Sequence, residues 1–223
     1  MTVLPVVALV VAKAPVPGLA KTRLATSVGD RGAADIAAAA LLDTLDAVAA
    51  APVQARVVAL TGDLDDACAA ADIRRRLEAF TVVPQRGEDF ADRLANAHAD
   101  AATAAGNGAV LQIGMDTPQV SAEILAECAE ELLEAQAVLG LADDGGWWVL
   151  GVSDASMADC LRAVPMSRRD TGALTLAALY ARGVNVHLVG ELADVDTVDD
   201  IDAVRRVCAS GSRFVRATRT VRV

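Results

Sequence analysis

The chain has 223 residues, of which 54% are hydrophobic, 22% are charged and only 3% are aromatic. This composition supplies enough apolar material for one large α/β domain and excludes an intrinsically disordered chain. The formal net charge of -10 argues against a nucleic acid as partner, because an acidic surface repels the phosphate backbone.

The first predicted element is a strand over residues 6–12, a continuous apolar run rich in valine. A strand covered on both faces has this pattern. The run is too short to span a bilayer, and it lacks the basic start and cleavage site of a signal peptide. We therefore expect a cytoplasmic protein without a membrane span.

Helices and strands alternate along the rest of the chain. Further strands are predicted at residues 54–60, 80–83, 109–113, 137–141, 147–152 and 184–189. Helices are predicted at residues 30–51 with Asp30 as the cap, within 64–79, and at 90–105, 121–135, 154–162, 171–182 and 197–208. This alternation predicts one α/β domain with a mainly parallel sheet flanked by helices.

We expect the domain to cover residues 1–209. The segment 210–223 carries four arginines and partly alternates, so it is predicted to be a basic tail or an added edge strand.

The four cysteines are far apart and form no C-x-x-C pair, and they are expected to be small buried residues in a reducing compartment. The sequence is silent on the oligomeric state.

A basic loop follows the first predicted strand and reads K-A-P-V-P-G-L-A-K-T-R-L from Lys13 onward. Lys13, Lys21 and Arg23 are suitable donors to a di- or triphosphate, and Gly18 permits close backbone approach. The spacing matches neither a P-loop nor the dinucleotide-binding pattern. The alternative is a loop whose cations are simply solvated.

Three aspartates stand just after predicted strands. Asp116 follows the strand at 109–113, and the pair Asp194 and Asp196 follows the strand at 184–189. Carboxylates at these places could hold a hard divalent cation such as Mg²⁺ or Mn²⁺. The alternatives are a turn or capping role for Asp116 and an N-cap role for Asp196 or Thr197.

Two further segments could contribute to a site. Asp144-Gly145-Gly146 lies between two strands, where it could be an ordinary hairpin turn. That interpretation leaves two adjacent tryptophans unexplained, and we expect one in the core and the other as a flat ligand wall. Arg93, at the start of a helix, could reach the ligand, or it could form a surface salt bridge with Asp89.

Together these motifs resemble a glycosyltransferase-like family of GT-A fold that was first described as a domain of unknown function and includes arsenosugar-biosynthesis glycosyltransferases. The family pattern K-x-P-x-x-G-x-x-K-T-R-L is matched from Lys13 to Leu24, and I-G-x-D-x-P is matched from Ile113 to Pro118. D-G-G and D-V-D-T are matched at 144–146 and 194–197. The resemblance covers about residues 6–207.

The resemblance implies roles for individual residues. It implies a divalent metal held by Asp116 with Asp194 or Asp196, and catalytic roles for Lys21, Arg23 and Asp144. The predicted nucleotide-binding residues are Lys13, Gly18, Lys21, Thr22 and Arg23 of the family motif, together with Gly87 and Arg93 from the segment that opens the helix at 90–105. The acceptor pocket that it implies consists of Asp144, Gly145, Gly146 and Trp147.

The chain departs from the family pattern at three places. Trp147 replaces a tyrosine, Thr117 replaces a common cysteine, and segment 166–172 lacks the usual tryptophan. These changes fall near the acceptor pocket, so the identity of the acceptor does not carry over from the family.

Three functions remain open at this stage. The first is glycosyl transfer from a nucleotide-diphosphate sugar to a small-molecule acceptor. The second is nucleotidyl transfer from a nucleoside triphosphate with release of pyrophosphate, because the K-T-R-L element is similar to that of phospholactate guanylyltransferases. The third is a nucleotide-binding module without catalytic activity.

Overall fold

A computed structural model describes residues 2–221 of the chain. Its first strand is β1 (Leu4–Lys13). The other strands are β2 (Val53–Thr61), β3 (Thr81–Pro84), β4 (Ala109–Ile113), β5 (Ala137–Ala142), β6 (Trp147–Val152) and β7 (Val186–Leu192). The α-helices are α1 (Thr22–Ala50), α2 (Ala70–Leu77), α3 (Phe90–Ala104), α4 (Ala122–Glu134), α5 (Thr171–Ala181), α6 (Val198–Val207) and α7 (Arg213–Ala217). A 3₁₀ helix covers Ala155–Ala163.

The seven strands form one sheet in the order β3-β2-β1-β4-β6-β5-β7. β6 runs antiparallel to its neighbours β4 and β5, whereas the other neighbouring pairs are parallel. Six strands therefore end at the same edge of the sheet, where β6 begins. The predicted mainly parallel sheet is confirmed, and ligands of open α/β sheets bind at the edge where the strands end.

Helices cover both faces of this sheet. Alternate residues of β1 point to opposite sides, so Val10 packs with α1, α2 and α4 while Leu9 packs with α3, the 3₁₀ helix and α5. Six of the thirteen buried residues of α1 are alanines, which lets the helix lie close to the sheet. The two halves of the core thus hold the strand ends in fixed positions.

The start of α1 differs from the prediction. The helix begins at Thr22, so the last three residues of the predicted basic loop, Thr22 to Leu24, form its first turn, and Gly29 interrupts it with φ 76° and ψ 161°. Only glycine adopts this backbone conformation readily. Asp30 therefore begins the second of two helical segments and is not the N-terminal cap of the whole helix.

The C-terminal tail was wrongly predicted to be a solvated tail or edge strand. Helix α7 forms there, and the Phe214 side chain is fully buried in a cluster with α1 and α6. The backbone N–H of Phe214 donates to Asp43 of α1 at 2.8 Å. The tail therefore belongs to the folded domain, and only its residues 222–223 lie outside the described residues.

The burial expected for the cysteines is confirmed for three of the four. Cys68, Cys128 and Cys160 are buried, Cys208 is half-buried, and all four are free thiols.

Among the described residues, no helix combines the length and the apolar character needed to cross a bilayer.

A buried histidine makes the stability of this fold depend on pH. His98 of α3 is fully buried, and burial lowers its pKa to about 4 from an ordinary 6.5, although Gln112 nearby opposes the shift. Above pH 6.5 the side chain is neutral in both the folded and the unfolded chain. Below that pH the unfolded chain takes up a proton that the folded chain accepts only near pH 4.

We therefore expect His98 to destabilise the fold by about 3 kcal/mol as the pH falls from 6.5 to 4. Urea denaturation of the wild type and His98→Leu between pH 4 and pH 8 tests this. The substitution should leave a shallower loss of stability on the acid side. An unchanged pH profile would show that other groups cause the loss.

Candidate metal and nucleotide site

Three aspartates from two separate segments meet where strands end. Asp116 follows β4, whereas Asp194 and Asp196 follow β7. Each offers a carboxylate oxygen within 4.8 Å of the oxygens offered by the other two. Carboxylate oxygens at this spacing can converge on one hard cation.

The sheet order alone does not bring these segments together, because β6 and β5 lie between β4 and β7. Gln119, in the loop after β4, donates from its side-chain amide to the backbone carbonyl of Ala193. This hydrogen bond ties the segment that carries Asp116 to the segment that carries Asp194. Gln119 is buried, so the tie is shielded from water.

Lys21 stands at the N-terminus of α1 in the left-handed conformation, with φ 47° and ψ 51°. A non-glycine residue in this conformation is strained by about 1–2 kcal/mol, and such strain is concentrated at functional sites. The conformation allows the Lys21 ammonium group to donate to Asp116 and, at 2.8 Å, to Asp196. Arg23 adds a weaker ion pair to Asp196 at 3.2 Å.

The charges of the cluster are only partly compensated. Burial acts to lower the pKa of Lys21, but the paired carboxylates of Asp116 and Asp196 outweigh it and raise the pKa above its ordinary value. Burial also acts to raise the pKa of Asp196, and Lys21 reverses this and holds it below its ordinary value.

The carboxyl group of Asp194 is different. Burial, followed by repulsion from Asp116 and other nearby carboxylates, raises its pKa to about 7. The attraction of Lys21 opposes this shift without cancelling it. Three carboxylates share the ammonium group of Lys21 and the weaker ion pair of Arg23, so a further cation at the cluster would stabilise the ionised form of Asp194.

Replacing Lys21 by methionine should lower the free energy of unfolding by about 2 kcal/mol. Removing one partner of a fully buried ion pair costs about 3–5 kcal/mol, and the partly exposed carboxylates here reduce that cost. The matched control is Lys13→Met, because Lys13 is exposed and its ammonium group donates to the carbonyl of Leu19, at 2.8 Å, and to no carboxylate within residues 2–221. Equal losses in the two variants, measured by urea denaturation, would contradict the assigned role of Lys21.

At the start of α6, one set of residues caps the helix and another faces the acidic cluster. Thr197 and Asp200 form the capping box of α6, in which the Asp200 carboxylate accepts from the backbone N–H groups of Asp196 and Thr197 at 3.0 and 2.6 Å. The side chain of Asp196 is left for Lys21 and Arg23. The alternative in which Asp196 caps the helix therefore does not hold.

The Asp144-Gly145-Gly146 segment joins β5 to β6, which pair as an antiparallel hairpin. The Asp144 carboxylate accepts from the backbone N–H of Gly146 at 2.7 Å, and Gly145 has φ 90°. The two tryptophans divide as expected: Trp148 is buried and donates to the carbonyl of Gly190 at 2.8 Å, whereas Trp147 lines the cleft described next.

A cleft of about 1170 Å³ runs along this edge of the sheet. The predicted site residues that line it are Lys13, Arg23, Arg93, Asp116, Asp144, Gly145, Gly146, Trp147, Asp194 and Asp196. Its lining does not include four other predicted residues, namely Gly18, Lys21, Thr22 and Gly87. The nucleotide-binding role of these four residues stays a prediction.

Two of the four have evident backbone roles. Gly18 has φ 77° in the turn of the basic loop. Gly87 has φ 143°, and a Cβ atom there would lie 2.8 Å from that of Asp92. Lys21 instead faces the carboxylates, so the geometry makes it a support for the acidic cluster.

Arg93 lines the cleft and does not pair with Asp89, which caps α3 by accepting from the N–H of Asp92 at 2.8 Å. Other residues that line the cleft were not predicted, among them Gln85, Phe90, Gln112, Arg168 and Arg169. The adjacent arginines in segment 166–172, where the chain departs from the family pattern, were the one signal that could have found part of this set.

Solved structures share this fold. A Desulfovibrio desulfuricans protein, provisionally assigned as a nucleotide-diphospho-sugar transferase, is 24% identical, with 96% of this chain and 94% of that chain covered at a TM-score of 0.82. The 4-diphosphocytidyl-2C-methyl-D-erythritol synthase of Anaerococcus prevotii is 16% identical over 90% and 94%, with a TM-score of 0.58. Rv0371c of Mycobacterium tuberculosis, in complex with manganese, is 20% identical over 90% and 97%, with a TM-score of 0.54. The architecture is thus that of the nucleotide-diphospho-sugar transferases.

The sequence itself places the chain in a family. Residues 44–168 match the family described as "Uncharacterized protein conserved in bacteria (DUF2064)", and the chain belongs to this family. A comparison with curated proteins finds no match.

Proposed function

We propose that this protein is a metal-dependent glycosyltransferase that uses a nucleotide-diphosphate sugar as donor. The observation that carries the proposal is the meeting of Asp116, Asp194 and Asp196 beside cations of the basic loop, in one cleft. A volume of about 1170 Å³ exceeds that of an ordinary small-molecule site. It therefore leaves room for a donor and an acceptor together.

The residues present fit a divalent cation such as Mg²⁺ or Mn²⁺. The three carboxylates offer only oxygen, the donor atom that these ions prefer, and a cation there would offset the repulsion that raises the pKa of Asp194. When bound, such an ion supplies Lewis acidity toward phosphate oxygens. The solved manganese complex of Rv0371c, a protein of the same fold, is consistent with this choice of ion.

The basic residues would have two separate roles. Lys13 and Arg23 line the cleft, and they would bind the diphosphate and stabilise the negative charge that develops as the nucleoside diphosphate leaves. Lys21 would hold Asp116 and Asp196 in position, since it bonds both and lies outside the cleft lining. Gly18, Thr22 and Gly87 would act by shaping the backbone around these groups.

Asp144 would orient the acceptor and take its proton. It is exposed at the turn between β5 and β6, and its carboxylate faces the same cleft as the acidic cluster. Its contact with the N–H of Gly146 fixes one oxygen at 2.7 Å and leaves the other for an acceptor hydroxyl. A positioned carboxylate of this kind can serve as a general base.

Nucleotidyl transfer is the second candidate. The same cations and acidic cluster would suit attack on the α-phosphate of a nucleoside triphosphate. The similarity of the fold to the 4-diphosphocytidyl-2C-methyl-D-erythritol synthase favours this candidate. A nucleotide-binding module without activity is the third candidate, and it predicts stabilisation by nucleotides without turnover.

A product assay separates the three candidates. The protein is incubated with Mn²⁺, a mixture of small-molecule hydroxyl and phosphate acceptors, and either nucleotide-diphosphate sugars or nucleoside triphosphates. Release of a nucleoside diphosphate above the rate without protein supports glycosyl transfer, whereas release of pyrophosphate supports nucleotidyl transfer. Thermal stabilisation by nucleotides without either product supports the binding module.

A further inference from the structure

One wall of the cleft carries three arginines: Arg93 on α3, and Arg168 and Arg169 in the loop before α5. We call this set the arginine wall. α3 and α5 pack on the same face of the sheet, opposite to the face that α1 and its Lys21 cover. The arginine wall is therefore separate from the basic loop, which also borders the cleft.

The loop of the arginine wall is firmly held. Thr171 accepts from the backbone N–H of Arg168 and donates to the carbonyl of Pro165, both at 3.0 Å. Ser167 has φ 59°, a strained value for a residue other than glycine. The backbone thus presents the arginines in one conformation, and they do not belong to an unstructured surface loop.

This loop also packs directly on the hairpin turn that carries Asp144. The backbone N–H of Gly172 donates to the carbonyl of Gly145 at 2.8 Å. A Cβ atom on Gly145 would lie only 1.9 Å from the carbonyl oxygen of Arg169, so only glycine allows this contact. Arg169 is consequently a near neighbour of Asp144.

The three arginines differ in their charge partners. Arg168 is bound by both oxygens of Asp170 at 2.9 and 3.0 Å. For residues 2–221, the structure gives neither Arg93 nor Arg169 a carboxylate within ion-pair distance. The chain has 30 acidic residues and 20 basic residues, so two arginines without such a partner in one cleft indicate a ligand that supplies the negative charge.

We propose that the arginine wall binds an anionic group of the acceptor, a phosphate or a carboxylate, through Arg169 and Arg93. The proposal rests on the proposed function, because it assigns this wall to the acceptor beside Asp144 and the basic loop to the donor. Guanidinium groups match phosphate and carboxylate oxygens as two-pronged donors. The acceptor is thus an acidic small molecule and not a neutral sugar.

The test uses glycerol 3-phosphate, glycerate and neutral glycerol as probes of the acceptor side. Each is titrated into the wild type, Arg169→Ala, Arg93→Ala and the matched control Arg168→Ala, with binding followed by calorimetry. Titrations are run with Mn²⁺ alone and with Mn²⁺ plus each of ADP, GDP, CDP and UDP. Glycerol 3-phosphate and glycerate distinguish a phosphate from a carboxylate, and glycerol reports binding that needs no charge.

We expect saturable binding of at least one anionic probe and none of glycerol. Arg169→Ala and Arg93→Ala should weaken it about tenfold, as the loss of one charge-assisted hydrogen bond predicts. Arg168→Ala, whose guanidinium group is already paired, should weaken it less than about threefold. Arg169→Lys should recover only part of the loss, because a lysine keeps the charge without the two-pronged geometry.

The proposal is overturned if no anionic probe binds, or if Arg169→Ala and Arg168→Ala bind it equally well. It is also overturned if Arg169→Ala weakens binding of the nucleoside diphosphates as much as binding of the anionic probe, since the wall would then belong to the donor. Failure of every nucleotide to bind would count against the proposed function alone. The titrations with Mn²⁺ alone would still decide whether the wall binds anions.

Discussion

Asp116→Ala should lower turnover with the active donor by at least about a thousandfold, which corresponds to about 4 kcal/mol of transition-state stabilisation. Asp116 contributes one of the three carboxylates that converge at the end of the sheet, and it lines the cleft. Its loss leaves Asp194 and Asp196 on a single segment, with no ligand from β4. The remaining pair would hold a divalent cation too weakly to stabilise the leaving diphosphate.

The measurement is the rate of product release at saturating Mn²⁺, with Asp143→Ala as the control. Asp143 is an exposed aspartate that lines the same cleft and is not a member of the acidic cluster. The control removes the same charge and should keep turnover within about threefold, as an exposed charge predicts. If Asp116→Ala keeps more than a tenth of the wild-type rate, Asp116 is not an essential metal ligand.

Phe214→Ala should lower the free energy of unfolding by about 3–5 kcal/mol. The side chain is fully buried at the centre of a cluster that joins α7 to α1 and α6, together with Leu24 and Ile201. Because α6 directly follows Asp196, loosening this cluster should also weaken the response of stability to Mn²⁺. A chain that ends at residue 209 should be less stable still.

Urea denaturation measures the effect, with Val207→Ala as the control. Val207 lies on α6 and is 66% exposed, so its truncation should change stability by less than about 0.5 kcal/mol. A loss below about 1 kcal/mol for Phe214→Ala would show that residues 210–221 are dispensable for the fold.

The sheet was predictable because its strands are marked in the sequence. β1, for example, is buried from Val6 to Ala12, and a strand covered on both faces reads as an unbroken apolar run bounded by turns. The helix cap at Ser121 follows an equally local rule, because its side chain accepts from the first turn of α4. Such elements depend mainly on nearby residues, so the sequence alone reveals them.

The tail was not predictable in the same way. Residues after 210 partly alternate, and alternation is typical of an edge strand. The position of Phe214 is instead decided by its packing against α1 and α6 and by Asp43, which accepts from two backbone N–H groups at the start of α7. Asp43 is 170 residues from Arg213 and 171 residues from Phe214, and no local pattern indicates this contact.

The meeting of Asp116 with Asp194 and Asp196 was expected from strand ends, and the structure brings them together; their role as metal ligands stays a prediction. The orientation of the Lys21 side chain toward the carboxylates was not expected. Its left-handed backbone turns the ammonium group toward the carboxylates, and sequence patterns reveal such a backbone only at glycine. The place of Arg169 likewise depends on a contact with Gly145 that only the folded chain shows.

The most direct measurement is an anomalous diffraction map from crystals grown with MnCl₂ and a nucleoside diphosphate. The account predicts one strong manganese peak within coordinating distance of Asp116, Asp194 and Asp196, with the diphosphate on its open side. The account is contradicted if no peak lies among the three aspartates and manganese binds elsewhere, such as at the surface glutamates Glu130 and Glu134.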